Sequence, residues 1–329
     1  MKKIPLSVLE LAVVTAGGNT GTAIAGTVAT AQHAELLGYN RVWMAEHHNM
    51  EHIASSATAV LIGHVAGKTK SIRVGSGGIM LPNHSSLQVA EQFGTLETIY
   101  PGRIDLGLGR APGTDQLTAM ALRRNHIETS QDFPLDVKQL QTYFSKANSV
   151  GKVRAFPGEG LDIPIWILGS STDSAYLAAQ LGLPYAFAAH FAPAQFRLAI
   201  NIYRKNFRPS AQLAAPYVMA CVNVIAADTD EEATLLSSSL LNMFIGVITN
   251  TRKPLMPPGK LPPAYELPEV QATINNMLSC TFTGSRETIR KELTAFIDET
   301  GIDELMAATY IYDHEAKLRS FTILHDALQ

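Results

Sequence analysis

The feature that most constrains this chain is a rhythm. Short, almost continuously apolar runs recur at 6–14, 41–45, 72–81, 103–108, 164–168, 184–189, 217–226 and 305–312. Several are apolar at nearly every position, as parallel strands covered on both faces are. Longer segments with helical spacing separate them. Residues 20–37 place Ile24, Val28 and Ala31 on one face, and Gly38 is a natural stop. Residues 86–100 place Val89, Phe93, Leu96 and Tyr100 at steps of 4, 3 and 4. Ser85 and Gln88 read as a capping box before that helix, and Pro101 and Gly102 close it. Helices are also expected at 172–181, 229–247, 285–299 and 315–328. Eight strand–helix alternations favour a (β/α)8 TIM barrel over an open doubly wound sheet. Residues 1–329 are read as one barrel domain.

Composition narrows the function. The 329 residues are 46% hydrophobic and 17% charged, enough for a large core and too apolar for a disordered chain. A net charge of −3 gives no broad basic surface, so nucleic acid and anionic membranes are excluded as expected partners. No run reaches the roughly 18–20 apolar residues that span a bilayer. Residues 4–16 lack the apolar core of a secretory signal. Two cysteines, Cys221 and Cys280, cannot build a disulfide framework and fit a reducing compartment. A cytoplasmic location is expected. One stretch breaks the rhythm: residues 249–266 are rich in proline, as an insertion before the last strand. The segment 249–280 is expected to be a lid or a mobile loop.

A barrel of this kind gathers its active site at the C-terminal ends of its strands. Those positions hold an unusual density of polar groups. Glu46, His47, His48 and Asn49 follow the second run, and Asn83 and His84 the third. Gly109 and Arg110 follow the fourth, Ser170, Ser171, Thr172 and Ser174 the fifth, and His190 the sixth. A metal site is disfavoured, because neighbours on a strand face opposite ways and neither His-x-His nor His-Glu-x-x-His occurs. His48 reads equally well as a hydrogen-bonded structural histidine. His47 is favoured as an acid or base, since imidazole titrates near neutral pH. Gly107 and Gly109 do not extend to a dinucleotide fingerprint, because the next glycine is Gly113. Arg110 is either a phosphate partner or a structural ion-pair arginine. Four hydroxyls at the start of a helix exceed what an N-cap needs and favour an anion site. Arg123 or Arg124 could reach such an anion. There is no Gly-x-Ser-x-Gly elbow, and Cys221 lies mid-strand as a core residue. Val13, Met44, Met80, Leu81 and Phe191 are candidate apolar walls.

Five stretches together resemble the luciferase-like family of flavin-dependent monooxygenases. They are Trp-Met-Ala-Glu-His-His (43–48), Val-Gly-Ser-Gly-Gly-Ile-Met-Leu-Pro (74–82), Ala-Glu-Gln-Phe-Gly-Thr-Leu-Glu (90–97), Pro-Gly-Arg-Ile-Asp-Leu-Gly-Leu-Gly-Arg (101–110) and Leu-Gly-Ser-Ser (168–171). The likeness runs from about residue 5 to the last helix and is nearest the small single-chain branch. It implies a (β/α)8 barrel that uses reduced FMN, or in some branches the deazaflavin F420. His47 matches the catalytic base. Gly77 and Gly78 match a pair joined by a cis peptide under the flavin ring, and Ser76 and Gly109 are counted with the flavin contacts. Arg110 matches a flavin-contacting arginine, expected to hold negative charge in catalysis. Ser170, Ser171 and Ser174 match the phosphate site, with Arg124 a looser match to a second phosphate arginine. Gly109 stands where luciferases carry a reactive cysteine. The expected activity is oxidation of a small organic substrate by O2, with reduced FMN supplied by a separate flavin reductase. The alternatives are an F420-dependent dehydrogenase, with F420 ranked below FMN, and a non-catalytic flavin-binding protein. A homodimer is implied as well, paired through helices near the second and third strands.

Overall fold

The computed structural model describes residues 3–122 and 132–329. The elements in chain order are β1 (Leu6–Glu10), α1 (Thr20–Leu36), β2 (Arg41–Met44), α2 (Thr58–Ala66), β3 (Arg73–Met80), α3 (Ser86–Ile99), β4 (Ile104–Gly109), α4 (Gln116–Leu122) and α5 (Phe133–Phe144). There follow β5 (Ile165–Gly169), α6 (Thr172–Leu181), β6 (Tyr185–Ala188), α7 (Phe196–Asn206), β7 (Val218–Ala226), α8 (Asp230–Ile248) and α9 (Pro268–Met277). The chain ends with β8 (Thr281–Gly284), α10 (Arg286–Thr300), β9 (Glu304–Ala308) and α11 (His314–Leu328). Strands β1 to β7 and β9 pair in parallel and close on themselves, with β9 joining β7 to β1. The expected (β/α)8 barrel is present.

Three sequence expectations need correction. The first strand ends at Glu10 rather than at residue 14, because Ala12 adopts a left-handed φ of 50° and turns the chain. The last strand ends at Ala308, and the segment beyond it is irregular. Ser85 does occupy the N-cap of α3, but its side chain makes no capping bond. A ninth strand, β8, is an addition; four residues ending in Gly284 are too few to show a period. Its place is informative. In a parallel ladder one residue's N–H and C=O point to the same edge. Tyr217, Asn223 and Ala227 of β7 turn theirs to β6 or β8, whereas Val218 turns its carbonyl to Asp303 before β9. So β8 continues the β6 edge of β7 above the point where β6 ends.

The insertion before β8 is tied down. Leu255 exchanges backbone bonds of 2.8 Å with Val14 and Ala16, in the continuation of β1. Val270 and Ile274 of α9 pack on Ile245 of α8 in a small core of their own.

The barrel interior is layered. Even-numbered β2 residues, Val42 and Met44, face the helices, while Trp43 and Ala45 face inward. Met44 and Leu81 therefore belong to the outer core and are not walls of the barrel mouth. At the N-terminal end a charge network fills the interior. Arg41 donates to Asp105 at 2.6 Å and to Glu304 at 2.8 Å, and Arg73 donates to Asp105 at 2.6 Å. Ser7, Asn40 and Tyr217 also donate to Glu304, and Trp43 Nε1 to Asp105. Burial alone would pull the Arg41 pKa down, but Asp105 and Glu304 hold it above its ordinary value. Above the network Trp43 and Trp166 meet edge to face at 5.2 Å, and the Arg41 guanidinium lies 4.7 Å from the Trp166 ring centre. Higher still several inward residues are small, Ala45, Gly77, Gly107, Ala186 and Ala308 among them, with Leu168 and Ile225 as larger neighbours.

Truncating one member of this buried network leaves opposite charge uncompensated. Glu304→Ala should lower the free energy of unfolding by about 3–5 kcal/mol. Urea denaturation followed by far-UV circular dichroism measures it.

Candidate active site

The polar groups expected to form the site follow the strands at the C-terminal end of the barrel. His47 follows β2 and is partly buried. Its Nδ1 lies 3.2 Å from the Gly113 carbonyl, which can only accept. The ring proton therefore sits on Nδ1, and Nε2 carries the lone pair. Burial lowers the His47 pKa; the Gly113 carbonyl and Glu46 oppose that, while Arg252 of the insertion and His48 add to it. The result is a neutral imidazole at physiological pH with its basic nitrogen free. Arg252 also places the insertion's charge over this end of the barrel.

Glu46, one residue earlier, points the other way. It accepts from His48 Nε2 at 2.9 Å, His84 Nε2 at 2.9 Å and the Met80 amide at 3.0 Å. Burial raises its pKa, but the two imidazoles and the Met80 amide outweigh that and leave it lowered. His48 and His84 thus anchor the loops after β2 and β3. Among the described residues, no group of three His, Cys, Asp or Glu is placed to hold a metal ion.

Strands β3 and β4 form the flattest part of the wall. The Gly77–Gly78 peptide is cis. The register slips by one residue there, pairing Gly77 with Gly107 and Ile79 with Leu108. A Cβ on Gly107 would stand 2.2 Å from the Ser76 carbonyl oxygen, and one on Gly78 would stand 2.8 Å from that of Gly107. Only glycine permits this approach. Ser76 is expected at the cofactor, but its fully buried hydroxyl bridges the strands. It donates to the Gly107 carbonyl at 2.8 Å and accepts from the Gly107 amide at 3.0 Å. Gly109 lies beside Met80; a Cβ there would stand 2.7 Å from the sulfur.

Arg110 and the serine cluster lie together. Arg110 Nη2 is 3.3 Å from Asp173 in the first turn of α6, and both side chains are substantially exposed. Ser171 is the N-cap of α6 yet makes no side-chain capping bond. Ser170 is partly buried beside it. Ser174 differs, since its hydroxyl donates to the Ser171 carbonyl at 2.7 Å and meets Tyr185 Oη at 2.9 Å. Arg123 and Arg124 lie outside the described residues. Arg204 of α7 binds the carbonyls of Thr300 and Gly301 at the end of α10.

Two participants have no role assigned from sequence. His190 follows β6 and its backbone carbonyl accepts from Asn223 Nδ2 at 2.6 Å. Asn223 sits on the inward face of β7, with Met219 and Cys221. A polar residue in an otherwise apolar strand was the available signal.

The family model for luciferase-like monooxygenases matches residues 4–304. The chain belongs to the luciferase-like monooxygenase family. It is 47% identical to a luciferase-like monooxygenase of Escherichia coli, over 99% of this chain and 97% of that one. It is 33% identical to the N-acetyl-S-alkylcysteine monooxygenase of Bacillus subtilis, over 99% and 98% of the two chains. The crystal structure of apo-MsnO8 superposes with a TM-score of 0.89 at 33% identity, covering 99% of each chain. The same fold at 16% identity occurs in two further structures. One is the oxygenating constituent of 3,6-diketocamphane monooxygenase of Pseudomonas putida in complex with FMN (TM-score 0.74). The other is an F420-dependent secondary alcohol dehydrogenase (TM-score 0.72). Among the described residues no helix of this chain is long and apolar enough to cross a membrane.

The site makes stability depend on pH. Burial, with a smaller contribution from His47, pushes the His190 pKa down to about 3 against an ordinary 6.5. Between those values the unfolded chain binds a proton that the folded chain does not, so stability falls as pH falls. His190→Phe should flatten that decline by about 1.4 kcal/mol per pH unit. Urea unfolding of both proteins at about pH 6, 5 and 4 checks it.

Proposed function

We propose that this chain is the oxygenase of a two-component flavin-dependent monooxygenase, taking reduced FMN from a separate flavin reductase and using O2 to oxidise a small organic substrate. One observation carries the reading. A neutral imidazole, an exposed guanidinium and the start of α6, where Ser171 makes no capping bond and Gln195 accepts from the Thr172 amide, stand at the same end of one barrel whose wall carries glycine. The family membership and the named activities of the relatives support it. Arg110, Ser170 and Ser171 would hold the FMN phosphate, with Arg124 as a further phosphate ligand. Ser174, tied to the Ser171 carbonyl and Tyr185, would fix the loop that bears them. Gly77, Gly78 and Gly109 would admit the flat ring against β3 and β4, with Ser76 holding those strands in place. Bound reduced flavin supplies the electrons for O2 activation.

The chain's own part is proton control and exclusion of water. His47 takes and returns a proton at Nε2, with Nδ1 anchored on Gly113. Arg110 offsets negative charge at the mouth. Trp43, Trp166 and Leu9 close the barrel beneath it. The proposal includes a cytoplasmic location and a homodimer paired near α2 and α3, where Val60 and Ile99 are exposed; light scattering on the eluting protein reads the dimer.

The test supplies protein, FMN, a flavin reductase, NADH and O2. N-acetyl-S-benzylcysteine is the first substrate, chosen because a relative's name specifies that class. Substrate-dependent O2 uptake and tighter binding of reduced FMN than of F420 are expected. Reduced FMN that binds yet reoxidises as it does in free solution, whatever substrate is added, would overturn the reading. His47→Ala should lower kcat by about 10²–10⁴-fold with FMN affinity unchanged. Arg110→Ala should weaken FMN binding by about 10–100-fold, measured by flavin fluorescence.

A further inference from the structure

The groups assigned to the flavin all come from the half of the mouth built by β2 to β5. The other half, β6 and β7, holds two buried polar atoms with no partner. They are His190 Nδ1 and Asn223 Oδ1, on residues that are 8% and 0% exposed.

Asn223 Oδ1 can only accept. His190 Nδ1 has no hydrogen-bond partner, and in the tautomer with the ring proton on Nε2 it keeps the lone pair. Burial opposes a second proton on this ring, and nearby His47 opposes it further. Asn223 is oriented by its own bonds. Its Nδ2 donates to the His190 carbonyl at 2.6 Å and to Thr281 Oγ1 at 3.1 Å, so Oδ1 is the atom left over. Buried polar atoms are nearly always bonded in folded proteins. Two unbonded acceptors on hydrogen-bonded neighbours, on the inner side of a barrel mouth, describe a site that lacks its donor.

We propose that His190 Nδ1 and Asn223 Oδ1 form the substrate-selecting end of the site and require a substrate bearing a neutral hydrogen-bond donor, a hydroxyl or an amide N–H. This rests on the reading of the mouth as a flavin monooxygenase site, which assigns the opposite half to the flavin. The donor is neutral, because neither acceptor carries a charge that would hold a cation. A carboxylate or sulfonate offers acceptors only and would leave both atoms unpaired. A donor held here lies close to His47, which is near enough that a proton on it would lower the His190 pKa.

The probes are benzyl alcohol and benzyl methyl ether, which differ by a methyl cap on the donor. They are titrated into FMN-loaded protein labelled with ¹⁵N-histidine. The alcohol should bind at least about tenfold more tightly than the ether and move the His190 Nδ1 resonance away from its free lone-pair position. His190→Phe should bring the two affinities within about threefold, with FMN affinity unchanged and, at about pH 8 where the His190 titration no longer contributes, thermal unfolding unchanged. The titration of labelled wild-type protein is decisive even where the variant does not fold. Equal affinities, no binding of the alcohol, or a resonance already displaced in the ligand-free protein and indifferent to the alcohol would each overturn the proposal. The last outcome means that resident water fills the site. None of these readouts needs turnover, so failure of the monooxygenase reading appears separately, in flavin binding and O2 uptake.

Discussion

Everything at the mouth of this barrel stands on the ion network at its base. Arg41 from β2 bridges Asp105 on β4 and Glu304 on β9, and Arg73 on β3 completes a neutral set of two cations and two anions. Such a set is a poor source of net stability against an apolar filling. Its effect is geometric. Large charged side chains and the Trp43–Trp166 pair occupy the lower half of the interior, so the strands are held apart without filling the top. Above them alanine and glycine recur among the inward residues. That division into a bulky base and a lighter upper layer is what the proposed seat for a flat aromatic ligand requires.

The outward layers were legible because they obey simple periods. Seventeen residues of α1 and ten of α6 follow from apolar spacing and the terminal residues, and eight barrel strands follow from apolar runs. The ends of those strands were not legible. A left-handed residue at Ala12 and the irregular chain after Ala308 depend on contacts with distant segments, as the Leu255 bridge to Thr15 illustrates. Facing was misjudged at Met44 and Leu81, because a strand apolar on both sides gives no cue to which side is inward.

The site was readable by residue type and less so by role. His47, Arg110 and Ser171 each follow a barrel strand at the same end of the molecule. Ser76 and Ser174 look alike in sequence, yet their hydroxyls are engaged within the scaffold, one between strands and one against Tyr185. A string of serines states a supply of hydroxyls, and only packing decides which remain available. The pairing of His190 with Asn223 stayed hidden for another reason: a lone polar residue in an apolar strand marks a position, but its partner lies 33 positions away.

The short strand β8 has a mechanical consequence. Thr281, its first residue, touches the Asn223 side chain, and the segment that delivers it contains α9 and the prolines that precede it. Lengthening or shortening that segment shifts the pivot on which Asn223 turns, while the fold's closure, made by β7 and β9, is left alone. With Asn223 in the role proposed for it, the chain carries an adjustable jaw: substrate preference would drift through changes in this tether while every residue inside the barrel stays the same.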